Sequence, residues 1–210
     1  RPPGNVLFVG HVVTGKGVFE LVEACTQIQM VNKLTLVGPY EEHVKDTLLN
    51  IAKERNEGSW LSFAGAINKS EVLEKMKNHS IVTLPSHTEG FPNVVLEGMA
   101  MGAAIVGTSV GAIPEMIDVR SNQPCGLCVP PENLEELKKA IEFAVTNPDA
   151  MEEMAKNGLK KVLSSYAMEN VFAQYHMCPH YEYNVLTTHI TLPEKCALKV
   201  FDNNVLNPFA

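Results

Sequence analysis

The chain has 210 residues, of which 45% are hydrophobic, and its formal net charge is -7 at pH 7. This content of apolar residues is enough for a sizeable core. The acidic balance, with no cluster of Lys and Arg, argues against a nucleic-acid partner or a membrane surface recognised by bulk charge. No apolar run approaches the ~20 residues that span a bilayer, and no secretory signal precedes the first predicted strand. We therefore predict a cytoplasmic protein with no direct membrane anchor in this chain.

The first residues suggest that the chain is part of something longer. It begins Arg1-Pro2-Pro3-Gly4 without a methionine and enters a buried-type strand almost at once. We expect an upstream segment to have been removed.

Short apolar runs alternate with helix-length segments along most of the chain. Nearly continuous apolarity indicates burial on both faces, which is typical of parallel strands. The runs predict strands at 5–10, 33–39, 60–65, 80–86, 103–109 and 126–131. Helices are predicted at 17–30, 41–56, 69–79, 92–102 and 112–118, then at 133–147, 148–166 and 167–183. The fold class is therefore α/β, a doubly wound Rossmann-like parallel sheet of about six strands with helices on both faces. Residues 184–210 sustain neither period and form a tail of unknown structure.

The first predicted strand leads into a glycine-rich turn, LFVGHVVTGKG at 7–17, which resembles a phosphate loop. An ATPase loop needs Ser or Thr after the lysine to bind magnesium, but Gly17 follows Lys16 here, and no acidic residue closes a later strand. This disfavours an ATP-dependent enzyme. A strand, a glycine turn, a lysine and a helix N-terminus remain, and together they suit an anion. The alternative is an ordinary strand-to-helix turn with an incidental lysine.

A second motif lies in the loop and helix after the fourth predicted strand. Glu89 stands in the loop, Pro92 and Asn93 open the helix, and Glu97 follows near the end of its first turn. Two carboxylates eight residues apart can border one cleft, with the N–H groups of a helix start between them. Ionised Glu accepts strong hydrogen bonds from vicinal hydroxyls, so the pattern indicates nucleotide-sugar binding. The alternatives are a helix-dipole role for Glu97 and an N-cap role for Asn93.

These segments resemble a known family. The stretch PSHTEGFPNVVLEGMAMGAAIVGTSVGAIPEMI, with LFVGHVVTGKG upstream and GLCVPPENLEELKKAI downstream, resembles the C-terminal donor-binding domain of retaining glycosyltransferases with the GT-B fold (glycosyltransferase family 4, group 1). Its most specific element is the pair of glutamates separated by seven residues in EGFPNVVLE. The resemblance implies a donor-binding domain at 1–183, one half of a GT-B fold, and an N-terminal acceptor domain that this chain lacks.

The resemblance also implies roles for individual residues. Glu97 would bind the donor ribose, Glu89 would contact the transferred sugar, and Lys16 would pair with the diphosphate, so that Glu89 and Lys16 are the catalytic candidates. The loop GAINKSEV at 65–72 takes the place that seats the nucleobase. The remaining donor-binding candidates are Gly10, His11, Gly65, Ile67, Gly90, Phe91, Pro92, Asn93 and Val94. The substrate would be a UDP-, GDP- or ADP-sugar, with no metal or other cofactor, because lysine and helix N-termini neutralise the leaving diphosphate.

This sequence departs from the family in two ways. His11 stands where the family usually has arginine, so it either becomes protonated against the diphosphate or is a bystander. The acceptor domain, which carries a catalytic histidine in the family, has no counterpart here. The final predicted helix at 167–183 resembles the segment that packs on that domain. No role is assigned to His87, His176 or His180.

The implied function is transfer of a hexose to a glycan or glycolipid acceptor in polysaccharide biosynthesis. The isolated chain would bind donor but transfer little until an acceptor domain is supplied in cis or in trans. Through that domain the protein could lie at the inner membrane face. The alternative is a noncatalytic nucleotide-sugar-binding subunit or sensor.

Cysteine usage adds one weak signal. Five cysteines are an odd number, which disfavours a disulfide framework. Cys125 and Cys128 form a CxxC motif, and Cys178 lies between His176 and His180. Together these residues are a candidate zinc site. Because a lone CxxC is a weak signal and Cys128 lies within an apolar run, we expect no metal.

Overall fold

The computed structural model describes residues 1–55 and 60–166. Within them, six parallel strands form one sheet in the order β3-β2-β1-β4-β5-β6. This is the strand order of a doubly wound Rossmann sheet, and it confirms the predicted fold class. The strands are β1 (Asn5–Val9), β2 (Lys33–Val37), β3 (Leu61–Gly65), β4 (Ile81–Leu84), β5 (Ala104–Thr108) and β6 (Gly126–Val129).

Seven α-helices connect and follow the strands in the described residues. They are α1 (Val18–Thr26), α2 (Glu42–Ala52), α3 (Lys69–Asn78), α4 (Asn93–Ala100), α5 (Ile113–Met116), α6 (Leu134–Thr146) and α7 (Pro148–Lys161). A 3-10 helix at Thr14–Lys16 precedes α1, and a π-helical segment at Val162–Tyr166 follows α7. The predicted helix at 148–166 therefore changes its hydrogen bonding near its end. None of the described helices is long and apolar enough to cross a membrane.

The predictions for the C-terminal part of the chain cannot be compared with these elements. Residues 1–159 form one compact unit, and the described residues 160–166 lie outside it. The predicted helix at 167–183, the domain boundary at 183 and the tail at 184–210 lie outside the described residues.

The sheet forms the centre of this compact unit. Val6, Leu7 and Phe8 of β1 are fully buried, and all five residues of β5 are buried. Helices cover both faces, because α1 packs against α2 and α6 while α3 packs against α4. Burying each large aliphatic or aromatic side chain contributes about 1.5–3 kcal/mol, so this central layer provides most of the driving force for the fold.

The order of the strands reverses between β1 and β4. The chain passes from β1 to β2 on one side and from β4 to β5 on the other. The two connections therefore diverge and leave a crevice beyond the carboxyl ends of β1 and β4. In open α/β sheets, ligands bind at this switch point.

Candidate functional site

Lys16 and Glu89 meet at the switch point. Lys16 ends the 3-10 helix that follows β1, and Glu89 lies in the loop that follows β4. The ammonium Nζ of Lys16 lies 2.6 Å from Oε1 of Glu89, and the two side chains are 31% and 12% exposed. Residues 73 positions apart in the sequence thus form a charge-assisted hydrogen bond.

A close backbone approach holds these two loops together. Gly17 has φ +67°, and a Cβ at this position would lie 2.0 Å from the carbonyl oxygen of Pro85. The backbone N–H of His87 also donates to the carbonyl of Gly15 at 3.0 Å. A side chain at Gly17 would separate the turn after β1 from the loop after β4, so glycine is required for the site to form.

Neighbouring groups fix the position of Glu89. The buried Ser86 hydroxyl donates to Oε1 of Glu89 at 2.7 Å, and the Ser86 carbonyl accepts from the Thr108 hydroxyl at 2.6 Å. Gly111 has φ +51°, and a Cβ there would lie 2.3 Å from the Glu89 carbonyl oxygen. The Glu89 loop is therefore held by its own serine, by the end of β5 and by the start of the α5 region.

Glu97 is paired with a lysine from another element. It is the fifth residue of α4, just past the first turn, and its carboxylate forms an ion pair with Lys69, the first residue of α3. The Glu97 side chain is 11% exposed and that of Lys69 is 48% exposed. The pair connects α4 to the loop at 65–72 that was predicted to seat a nucleobase.

No individual role was predicted for Lys69. A signal was present, because a cation in the first turn of a helix opposes the helix dipole and needs another source of stabilisation. That stabilisation is the largely buried Glu97 carboxylate. Finding it required the sheet order that brings the β3–α3 loop beside α4.

A histidine–glutamate hydrogen bond lies beside these loops. Nε2 of His87 is 2.8 Å from Oε1 of Glu20 in the first turn of α1. The other carboxylate oxygen of Glu20 is buried and has no hydrogen-bond partner among the described residues. His87, for which no role was predicted, therefore links α1 to the loop that carries Glu89.

The helices that start at the switch point lack side-chain caps. The N-cap residues are Gly17 for α1 and Pro92 for α4, and neither provides a side-chain acceptor. The N-caps Glu41 of α2 and Ala112 of α5 also provide no side-chain cap, whereas Asn68 and Asn133 accept from backbone N–H groups and cap α3 and α6. The N–H groups at the start of α1 and α4 can therefore serve an anion.

The N-cap position, which was the alternative role for Asn93, is occupied by another residue. Asn93 is the first residue of α4 and is exposed, while Pro92 is the N-cap residue. Pro92 has extended backbone angles of φ -76° and ψ 108°, so the helical conformation begins one residue later than predicted. The backbone just before it is also fixed, because the Gly90 carbonyl accepts from the N–H of Ala112 at 2.9 Å.

The remaining predicted residues lie along the same edge of the sheet. Gly10 donates its N–H to the Val37 carbonyl, and Gly38 donates to the Gly65 carbonyl, both at 2.9 Å, so the ends of β1, β2 and β3 are joined. The side chain of His11 is exposed and has no recorded partner in the described part of the chain. Phe91 is exposed, whereas Ile67 and Val94 are half-buried.

The zinc hypothesis gains no support from the described residues. No three His, Cys, Asp or Glu side chains converge in 1–55 and 60–166. Cys125 is buried and Cys128 is half-buried in β6, where burial raises the pKa of the Cys128 thiol and disfavours the thiolate that binds metals. His176, Cys178 and His180 lie outside the described residues.

A doubly wound sheet with lysine–glutamate pairs at its switch point is typical of an α/β ligand-binding domain. Residues 3–161 match the family model described as Glycosyl transferases group 1. The chain therefore belongs to this family.

Relatives with curated names agree with this assignment. N,N'-diacetylbacillosaminyl-diphospho-undecaprenol alpha-1,3-N-acetylgalactosaminyltransferase of Campylobacter jejuni is 31% identical over 172 residues, which are 82% of this chain and 43% of the relative. An uncharacterised glycosyltransferase of Methanocaldococcus jannaschii is 27% identical over 166 residues, which are 79% of this chain and 42% of the relative. The chain spans about two fifths of the length of these relatives.

Solved structures show the same fold. Sucrose-phosphate synthase of Thermosynechococcus elongatus superposes with a TM-score of 0.73 at 26% identity, over 83% of this chain and 44% of that one. Anabaena HepE in complex with UDP and glucose gives 0.71 at 18% identity, over 84% and 47%. The C-terminal domain of a group 1 family protein (LpcC) from Francisella tularensis gives 0.68 at 23% identity, over 78% and 86%. The chain thus has the Rossmann-like fold of one half of a GT-B glycosyltransferase.

Proposed function

We propose that this chain is the donor-binding half of a retaining glycosyltransferase that transfers a hexose from a nucleotide-diphosphate sugar. The observation that carries the proposal is the contact between Lys16 and Glu89 at the switch point. A cation and a carboxylate held there by two loops can serve the two parts of such a donor, the phosphates and the sugar. Family membership supports the reaction class.

The diphosphate would bind between Lys16 and the uncapped helix starts. The Lys16 side chain is 31% exposed, so its ammonium can move from Glu89 to a diphosphate, which carries more negative charge than a carboxylate. The N-termini of α1 and α4 add partial positive charge. Together these groups stabilise the leaving diphosphate without a metal ion, and we propose that donor binding is metal-independent.

The transferred sugar would contact Glu89. Oε1 of Glu89 accepts from both Lys16 and Ser86, and no described residue donates to its second oxygen. That oxygen can accept a hydrogen bond from a sugar hydroxyl. Since the Glu89 side chain is 12% exposed, such a bond would be partly shielded from water and correspondingly strong.

The nucleoside would lie toward Glu97 and the β3–α3 loop. The Glu97 carboxylate would accept from the ribose hydroxyls, and the half-buried Ile67 would contact the base. Because Lys69 binds Glu97, the ribose would share this carboxylate with a lysine or displace it. Anabaena HepE, which has the same fold, was solved with UDP and glucose, so a UDP-sugar is the first donor to test.

The reaction itself requires an acceptor. We propose that an N-terminal domain, in cis or in trans, provides it, since the relatives are more than twice as long as the matched segment. The diphosphate would leave while the acceptor hydroxyl attacks from the same face, through an oxocarbenium-like transition state. The Campylobacter relative is named for a diphospho-undecaprenol acceptor, which supports a glycan or glycolipid acceptor and a location at the cytoplasmic membrane face.

Calorimetry tests the proposal. The chain is titrated with UDP, GDP, ADP and their hexose conjugates in EDTA. We expect one nucleotide family to bind and Glu97→Ala to weaken that binding by roughly tenfold or more, because charge-assisted hydrogen bonds to the ribose are lost. Glu142→Ala is the matched control, since Glu142 is exposed on α6, away from the switch point.

Either of two results would contradict the proposal. One is the absence of binding for all nucleotides, with or without magnesium. The other is equal weakening by Glu97→Ala and Glu142→Ala. If a nucleotide sugar binds but no acceptor domain ever restores transfer, the chain is a noncatalytic binding subunit instead.

A further inference from the structure

A second concave surface lies at the opposite end of the sheet. Its cavity volume is about 670 Å³, and its lining includes Asn5 and Lys33, the first residues of β1 and β2, and His79, just ahead of β4. The candidate donor site lies beyond the carboxyl ends of the strands, whereas this cavity lies toward their amino ends. We call it the amino-end groove.

The amino-end groove concentrates positive charge in an acidic chain. Arg1, Lys33 and Lys75 line it, and no Asp or Glu does so among the described residues. Neither Lys33 nor Lys75 forms an ion pair with a described carboxylate. Since the whole chain has a net charge of -7, three cations without a lining carboxylate form a marked local exception.

One of these cations is fixed by the fold. The guanidinium of Arg1 donates to the carbonyls of Met101 and Gly102, in the turn before β5. Because this planar group carries five N–H donors, two such bonds leave others free for a ligand.

Polar uncharged groups complete the lining. Nδ1 of His79 lies 2.7 Å from the Lys75 carbonyl, which can only accept, so Nδ1 carries the proton. Nε2 of His79 lies 3.4 Å from Oγ1 of Thr35, and Oγ of Ser62 lies 3.3 Å from the same oxygen. The lining therefore includes hydroxyls and an imidazole as well as cations.

His79 is buried beside the cations of the groove. Burial lowers the pKa of His79, and the charges of Lys75, Lys33 and Arg1 lower it further, although the hydrogen bond to the Lys75 carbonyl opposes them. Three cations thus act on His79 in the same direction, and no described carboxylate offsets them. An anion in the groove would offset their charge.

We propose that the amino-end groove binds a phosphate-bearing small molecule, at a site separate from the nucleotide-sugar site. Arginine and lysine are the side chains that recognise phosphate, and the hydroxyls of Thr35 and Ser62 can add hydrogen bonds. A volume of about 670 Å³ exceeds that of a phosphate ion and suits a phosphorylated metabolite. This site does not depend on the glycosyltransferase proposal, because none of its lining residues belongs to the switch point.

Amide chemical shifts of the ¹⁵N-labelled chain test this site directly. Inorganic phosphate and glucose 6-phosphate are titrated separately at constant ionic strength. We expect both probes to shift the amides of Asn5, Ser62 and His79, and the double variant Lys33→Ala, Lys75→Ala to weaken that binding roughly tenfold. Tighter binding of glucose 6-phosphate would identify a phosphorylated metabolite, and equal binding would identify free phosphate.

Two control variants separate the possible causes. Lys77→Ala removes an exposed lysine of α3 that does not line the groove, and it should leave binding unchanged. Lys16→Ala removes the cation of the candidate donor site and should also leave the shifts in the groove unchanged. The proposal is wrong if neither probe shifts the groove amides, or if Lys77→Ala weakens binding as much as the double variant. The retained dispersion of the amide spectrum shows that each variant is folded.

Discussion

At the scale of single residues, the Lys16 ammonium is the group on which the proposed chemistry depends most. In the structure it is hydrogen-bonded to Glu89. In our proposal it moves from Glu89 to the diphosphate when the donor binds. If Lys16 served only to hold the Glu89 loop, replacing it would change nucleotide affinity only through the lower stability of that loop. This difference separates the two interpretations of the contact.

Replacing Lys16 should therefore weaken nucleotide binding more than it weakens the fold. We expect Lys16→Met to raise the Kd for the preferred nucleotide diphosphate about 10- to 100-fold, since one charge-assisted contact to phosphate is lost. The measurement is calorimetry at fixed ionic strength, with urea unfolding to follow stability. Lys77→Met, an exposed lysine on α3, is the control. Equal affinities for the Lys16→Met variant and the native chain would refute a phosphate role.

At the scale of elements, the contact between the turn after β1 and the loop after β4 forms the site. It depends on Gly17, where a Cβ would lie 2.0 Å from the Pro85 carbonyl oxygen in a backbone conformation of φ +67°. The fixed carbonyl cannot rotate away as the end of a flexible side chain could. Strain here would move Lys16 away from Glu89.

Gly17→Ala should lower the free energy of unfolding by about 2–4 kcal/mol and weaken nucleotide binding, because both steric overlap and a positive φ oppose alanine. Gly15→Ala is a close control in the same turn, since a Cβ there meets no atom within 4 Å. We expect that control to change the free energy of unfolding by less than about 1 kcal/mol. Urea denaturation of both variants gives the comparison. A Gly15→Ala variant as unstable as Gly17→Ala would show that the Pro85 contact is not the cause.

The strands and the site show which features could be predicted from the sequence and which could not. The six apolar runs predicted each of the six described strands to within a few residues, because strands buried on both faces carry an unbroken apolar signal. The sequence predicted that Lys16 and Glu89 lie at the same edge of the sheet, because strand ends meet there, but it did not predict their direct contact. The Lys69–Glu97 pair needs the sheet order β3-β2-β1-β4, which no local pattern contains. The alternative N-cap role for Asn93 rested on the frequency of Asn at N-caps, but Pro92 occupies that position through its backbone conformation.

At the scale of the whole molecule, two buried titratable groups make the free energy of unfolding depend on pH. Burial raises the pKa of the Cys25 thiol to about 12 from its ordinary 9.0, with the Arg55 charge opposing the shift. Burial and neighbouring cations lower the pKa of His79 below its ordinary 6.5. The folded state therefore favours the neutral form of each group.

The signs of these shifts give an optimum between the two ordinary values. Above pH 9 the unfolded chain loses the Cys25 proton first, so stability falls as pH rises toward about 12. Below pH 6.5 the unfolded chain gains the His79 proton first, so stability falls as pH decreases. Urea unfolding from pH 5 to 10.5 measures both limbs. Cys25→Ala should reduce the alkaline slope by up to about 1.4 kcal/mol per pH unit. An unchanged slope would show that other groups cause the alkaline loss.

The most direct test of the central claim is a crystal structure of the chain with its best-binding nucleotide diphosphate, soaked in without metal. We predict the diphosphate between the N-termini of α1 and α4, the Lys16 ammonium moved from Glu89 to a phosphate oxygen, and the ribose against Glu97. A nucleotide bound elsewhere, or at the switch point with Lys16 still on Glu89 and no contact to phosphate, would contradict the account.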